Sequence, residues 1–451
     1  MTRRRLVIVL AAVLVVLLGA AAAVGVWWWT SRPQAKLGSS TIEFVPTQPT
    51  VKPPPPQEPL PWPQFGYDDA RTHFTPVHEH RPPFARLWSV LAGAYVEFPA
   101  SVAGGRVFVA QEEGRLFAVD AETGKILWNR QYSNCSASSP LVHDGVVYMA
   151  FLPRPCPHGP RGLPGLVVGV DAKTGKEVWR FTGSGASESS LLAVGGLLYF
   201  GSWDHKVYAV DIRTRKVRWA TETDAEIDSS PAYEGGTIYI GTNGGSMYAL
   251  NAHTGAVRWQ SHSYSHFPRG REYFYATPTV AYGRVFAGNT DGWVYAYGAK
   301  TGHLLWAQQA GTYVYTAPAV WNQTVYVGSY DGKVYAFDAA TGRLRWTYEA
   351  SGSIHGAPTV MAGLVYFSVC GTCGTRTGVR YAKKGRPGTF ALDARTGKLV
   401  WTFWDGRYSP VVADEKRVYL MGRARVWGLE PCPKLWSPTR TRPYRALLPH
   451  C

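Results

Sequence analysis

Eight positions of this 451-residue chain fall at one register of a repeated segment, and most carry polar chemistry. They are Glu97, Ala137, Glu188, Asp228, Tyr275, Tyr315, His355 and Arg407. Glu188 and Asp228 are 40 residues apart, and so are Tyr275 and Tyr315, and Tyr315 and His355. Three carboxylates, an imidazole, a guanidinium and two phenols converging on one axis could bind a polar ligand. Glu188 and Asp228, on adjacent repeats, could also share a hard cation, which takes carboxylate oxygens. The plainer reading is a hydrated channel whose charges satisfy one another. No residue is assigned a catalytic role, because neither Gly-x-Ser-x-Gly nor His-Glu-x-x-His occurs. The metal ligand set stays unknown.

A second chemistry sits in three insertions, at 151–165, 261–274 and 370–388. They carry Arg154, Arg161, Arg269, Arg271, Arg376, Arg380, Lys383, Lys384 and Arg386. Such a basic collar suits a phosphorylated or carboxylated polymer and should weaken with salt. It agrees with the formal net charge of +16. Six cysteines form three local candidate disulfides, Cys135 with Cys156, Cys370 with Cys373, and Cys432 with Cys451. The Cys370-x-x-Cys373 pair could instead be redox-active or hold a metal, but no second CxxC or His pair completes a zinc site.

These residues need a scaffold, and composition says which kind. Aromatic residues make up 14% of the chain and charged ones 17%, with 48 Gly and 32 Pro. That favours strands and turns over helices. Segments such as "GRLFAVDAETGKILW" and "GKVYAFDAATGRLRW" repeat and end at Trp128, Trp179, Trp219, Trp259, Trp306, Trp346 and Trp401. Successive spacings are 51, 40, 40, 47, 40 and 55. A base period of 40 residues with alternating apolar positions reads as one four-stranded sheet per repeat. The repeated Trp is read as core, wedged between adjacent sheets.

Seven complete repeats run from Glu97 to about Phe403. A last unit, "SPVVADEKRVYLMGRARVWGLEP", lacks its outer Trp strand, while "FARLWSV" with Trp88 precedes the first. The N-terminal strand therefore completes the eighth blade and closes the ring, which removes open sheet edges. The expected fold is an all-β, eight-bladed propeller of four-stranded blades after one N-terminal transmembrane helix. Residues 1–29 are read as a cytoplasmic Arg cluster and signal anchor, because Arg3–Arg5 precede an apolar run long enough to span a bilayer and ending at Trp27–Trp29. Residues 30–61 form a Pro-rich linker, a stiff stalk. Residues 62–431 are the propeller and 432–451 a basic, Cys-containing tail. This places the chain in a bacterial cell membrane, single-pass, with its N-terminus cytoplasmic and its propeller extracytoplasmic.

The unit Asp-Gly-x-[Val/Leu]-Tyr-Ala-x-[Asp/Asn]-Ala-x-Thr-Gly-x-x-x-Trp resembles the PQQ-type propeller repeat, and "WPQFGYDDARTHFTP" resembles the segment that often opens such domains. That family includes quinoprotein dehydrogenases and non-enzymatic members such as the BamB-type assembly scaffold, so the resemblance fixes fold better than function. The dehydrogenases it implies carry an adjacent Cys-Cys disulfide over the cofactor, a Trp floor and acidic calcium ligands; this chain has no adjacent Cys pair. The expectation is a binding or scaffold module that presents its loop face to envelope proteins or anionic polymers, without a cofactor and without nucleic acid as partner. The alternative is a PQQ-dependent dehydrogenase or cofactor sensor using PQQ and Ca2+. Ring closure is directly testable. A chain lacking residues 62–92 should lose the cooperative melting transition of the whole propeller, and an unchanged melting temperature would refute closure.

Overall fold

The computed structural model describes residues 3–30, 32–47, 62–77, 79–156, 162–266, 270–371, 385–408, 411–435, 437, 443–444 and 447–448. After helix α1 (Arg3–Thr30) almost every element is a strand. The strands form eight antiparallel four-stranded blades. Blades 1 to 7 span residues 101–131, 141–181, 192–222, 232–262, 279–309, 319–349 and 359–403. Blade 8 takes Val412–Ala413, Val418–Gly422 and Arg425–Pro431 from the end of the sequence and Phe84–Leu91 from its beginning. Phe84 faces Pro431 and Leu91 faces Arg425 in that final pairing, so the ring closes as the repeat count requires.

One contact recurs around the ring. In seven of the eight blades the outer-strand Trp reaches the next blade and donates its indole N–H to a backbone carbonyl there. Trp88 donates to Ala121, Trp128 to Ala172, Trp179 to Ile212 and Trp219 to Ala252. Trp259 donates to Ala299, Trp306 to Ala339 and Trp346 to Ala394, all at 3.0 Å. The accepting residue belongs to the Asp-Ala-x-Thr-Gly turn, which explains the motif. In blade 1 the Asp120 carboxylate accepts the Thr123 N–H and hydroxyl, both at 2.8 Å, and shapes the turn. Gly124 then takes φ +73 and lies against the Trp88 ring, with no room for a Cβ.

Two segments depart from the expected organisation. Residues 36–46, read as stalk, lie against blades 5 and 6. Lys36 bridges Ala307, and the Val45 N–H donates to the Tyr282 carbonyl at 3.0 Å. Arg284, fully buried, explains the docking. Its guanidinium donates to the carbonyls of Ser39 (2.7 Å), Ile42 (2.7 Å) and Glu43 (2.9 Å), and to Ala339 of blade 6 (3.0 Å). Composition could not reveal this, because the strap's partners are its own backbone carbonyls. The proline run 53–56 lies outside the described residues. In the tail, Leu448 pairs beside Ala85 of blade 8, and Tyr444 beside Trp401 of blade 7.

α1 contains one stretch, Leu10–Trp29, long and apolar enough to cross a membrane, with mean hydropathy 2.5 and no contact with the propeller that buries it. Arg32 stacks over Trp28 at 3.6 Å where the stretch ends.

The indole contact predicts a graded loss. Trp306→Ala should cost about 3–5 kcal/mol in denaturant unfolding. Trp306→Phe, which keeps most of the packing and leaves the Ala339 carbonyl only its Arg284 donor, should cost about 0.5–1.5 kcal/mol. A cost near zero for Trp306→Phe would show that the hydrogen bond contributes nothing.

Candidate functional site: an acidic, tyrosine-lined cup

The centre of the ring is built by residues 62–77, which pass under blades 1 to 7, and by His80, which reaches blade 8. The Val142 N–H donates to the Pro63 carbonyl, Tyr233 to Asp69, Val280 to Ala70, Val320 to Thr72 and Val360 to His73. Trp62 bridges Val102 of blade 1, Phe74–Thr75 runs parallel to Thr359–Met361 of blade 7, and His80 reaches the Asp414 carbonyl of blade 8. Fully buried Arg71 ties in the remaining blade: its guanidinium donates to Leu191 (3.0 Å) of blade 3, Pro231 (2.9 Å) of blade 4 and the Phe65 carbonyl of the plug itself. Desolvation lowers even this guanidinium to about 10. Beside it, burial raises Asp68 to about 6 and lowers His73 to about 3.

Above this plug lies an axial cavity of about 60 Å³, floored by Phe65 and lined by Glu97, Glu188, Asp228, Tyr275, Tyr315 and His355. Six of the seven polar positions read from the inner strands thus meet at one place. Ala137 packs nearby, against Cys135 and Trp203. Tyr275 donates to Glu188 at 2.7 Å, and Glu97 contacts His355 at 3.1 Å. Asp228 accepts from the Trp203 indole at 2.5 Å and the Asn243 amide at 2.7 Å. The Tyr275 and Tyr315 rings lie 4.7 Å apart, and Tyr315 stacks on Tyr330 at 5.0 Å. Burial, and then the charges of Glu188, Asp228 and Glu97, push the Tyr275 hydroxyl well above its ordinary range.

Arg407 does not join this cup. It lies in a separate depression with Arg86, Asp405, Arg423 and Arg425. The next residue, Tyr408, takes the inward place with φ +63 and meets His355 at 5.5 Å and Tyr95 at 5.9 Å. A left-handed residue shifts the register by one, which strand alignment cannot see. Sequence reading also missed a second set: Trp203, Asn243 and Tyr330, whose phenol bonds the His355 ring at 2.6 Å. These three share the position two residues after the Gly that ends the second strand, so aligning second strands would have found them.

The described ends of the three insertions lie beside the entries to the inner strands: Leu152 pairs with Cys135, Phe274 donates to Thr242 just before Tyr275, and Cys370 donates to Ser353. Cys135 and Cys156 are bonded (S–S 2.01 Å), as expected. Cys370 and Cys432 are each in a disulfide, and their candidate partners Cys373 and Cys451 lie outside the described residues. Of the basic collar, Arg154 pairs with Glu113 at 3.3 Å, Arg271 is exposed, and Arg386 stacks over Trp404 at 4.4 Å. Arg161, Arg269, Arg376, Arg380, Lys383 and Lys384 lie outside the described residues.

A family model described as the outer membrane protein assembly factor BamB matches residues 84–151, 161–292 and 290–431. The chain belongs to this BamB-like propeller family. Its fold is shared by BamB from Moraxella catarrhalis (TM-score 0.62, 16% identity, 77% of this chain and 100% of that one). It is shared equally by the quinohemoprotein alcohol dehydrogenase of Comamonas testosteroni (TM-score 0.64, 12% identity, 85% of this chain and 82% of that one). In sequence, 28% identity over 135 residues links it to the 1-butanol dehydrogenase (cytochrome c) of Thauera butanivorans, covering 26% of this chain and 18% of that relative. The chain thus spans less than a fifth of that relative's length.

Those relatives raise the question of a quinone cofactor, and the cup can be tested for fit. A cavity of about 60 Å³ holds a few waters. Pockets for small organic ligands run from about 300 Å³ upward. Its floor is Phe65, not Trp. Among the described residues, no group of three or more His, Cys, Asp or Glu side chains is placed to hold a metal ion. As placed, these residues do not fit a tricyclic quinone with its calcium ion.

The plug makes acid a specific stress. His73 is neutral in the fold and its pKa is depressed, so its contribution is complete above about pH 6.5 and is lost as pH falls toward 3. Relative to the parent, His73→Asn should gain about 2 kcal/mol between pH 7 and pH 5. A difference that stays constant with pH in unfolding titrations would show that His73 titrates freely.

Proposed function

We propose that this chain is a membrane-anchored, extracytoplasmic binding propeller that presents its loop face to envelope proteins or anionic polymers. The observation that carries this reading is the axial cup: about 60 Å³, closed below by the plug, too small for the cofactor that a quinoprotein would need. A rigid ring that presents connecting loops around the mouth of the cup is suited to macromolecular contact. On the axis, carboxylates beside tyrosine rings suit a cationic side chain of a protein partner. α1, with Arg3–Arg5 ahead of its apolar stretch, favours retention at a membrane with the propeller on the far side. Docking of residues 36–46 on blades 5 and 6 would fix the side from which the tether leaves.

The second reading, a PQQ-dependent dehydrogenase, is favoured by the alcohol dehydrogenases among the relatives. One experiment separates the two. Full-length protein in detergent is titrated with PQQ and Ca2+, with melting temperature and dye-coupled alcohol oxidation as readouts. The binding reading expects no shift and no turnover. A ligand at a hundredfold its Kd would add about 2.7 kcal/mol to stability, and such a rise together with turnover would establish the dehydrogenase instead.

A further inference from the structure

Arg407, displaced from the axis, lies in a depression of about 480 Å³ with Arg86, Arg423 and Arg425. Four arginines there face one carboxylate, Asp405. They come from three different parts of the chain. Arg86 is on the N-terminal strand Phe84–Leu91, Arg407 precedes blade 8's inner strand, and Arg423 and Arg425 flank the hairpin between its second and third strands. That hairpin lies at the same end of the blade as the cup and the insertions. Sequence closeness therefore does not explain the cluster; ring closure assembles it.

The charges of the four side chains are not met by a carboxylate. Elsewhere, arginines pair with carboxylates: Arg154 with Glu113, Arg180 with Glu177 and Arg345 with Asp338. None of the four enters an ion pair among the described residues, and Asp405 closes onto none of them. Arg425 donates to the Ser89 hydroxyl at 2.9 Å, and Arg423 sits 5.8 Å over the Tyr95 ring. These contacts orient two guanidiniums without neutralising them. Like charges gathered without a counter-charge repel one another, and an oxyanion relieves this. Guanidinium forks match phosphate oxygens in geometry as well as charge.

We propose that this depression on the closing blade is an oxyanion site that takes the phosphate groups of a linear polyanion. Its size and openness suit successive groups of a chain better than one buried ion. The inference rests on the binding reading above and supplies the polymer-binding surface that the described part of the basic collar leaves unsettled. It also divides the loop face into an acidic axis and a basic edge.

The test uses full-length protein in detergent and calorimetric titration with linear polyphosphate, with inorganic phosphate and phosphatidylglycerol vesicles as separate arms. The expected result is saturable polyphosphate binding that weakens steeply between about 50 and 200 mM salt. Inorganic phosphate should bind far more weakly. Arg86→Gln with Arg407→Gln, two residues without side-chain bonds among the described residues, should raise Kd about tenfold or more with the melting temperature unchanged. Arg→Lys at both should recover only part of the loss, because charge returns without the fork. Unchanged affinity in the Gln pair would overturn the site while leaving the binding reading to the quinone titration. Tighter binding to the vesicles than to polyphosphate, lost in the same pair, would overturn the polymer in favour of a lipid headgroup.

Discussion

The indole that each blade lends to the next is the contact on which the molecule depends. A four-stranded blade cannot bury either of its faces alone; it needs a neighbour on each side. The outer Trp supplies a wide apolar surface and one directed hydrogen bond, so it fixes both the spacing and the angle between blades. The Asp-capped turn with its flat glycine is the complementary half. Blade 7 is the exception that shows the rule: blade 8 has no such turn, and Trp401 is instead covered by Phe84 and edged by Tyr444 of the tail.

Closing a ring of wedges leaves a hole, and the plug decides what becomes of it. Residues 62–77, with His80, touch all eight blades, and the cost of burying Arg71 is offset by the carbonyls of several blades at once. The result is a cup with a floor and not a through-channel. The scale of any axial ligand follows from that floor. It limits the axial cavity to the scale of waters or one side-chain head, and it directs attention to the rim and the outer edges of the loop face.

The same economy of backbone carbonyls holds the strap. Arg284 binds residues 39–43 much as Arg71 binds the plug, so two buried arginines hold two segments that have no blade of their own. A tether that leaves from a fixed side of the ring would orient the loop face relative to the membrane, which a free stalk would not.

How much of this was legible follows from which interactions repeat. The period of 40 residues, the Trp at its end and the missing outer strand of the last unit determined blade number, strand order and closure, because each blade obeys the same local rules. Six of seven polar cup positions followed from that alignment. What repeats cannot encode was decided by tertiary structure. Tyr408 displaced Arg407 through one left-handed residue. Residues 36–46 docked through carbonyls that every sequence possesses. The arginine cluster of blade 8 gathered only where the two ends of the chain meet. Sequence by itself determined the ring, since its forces are local and periodic; the plug, the strap and the placement of unpaired charge depend on single long-range contacts, and only the closed ring brings those residues together.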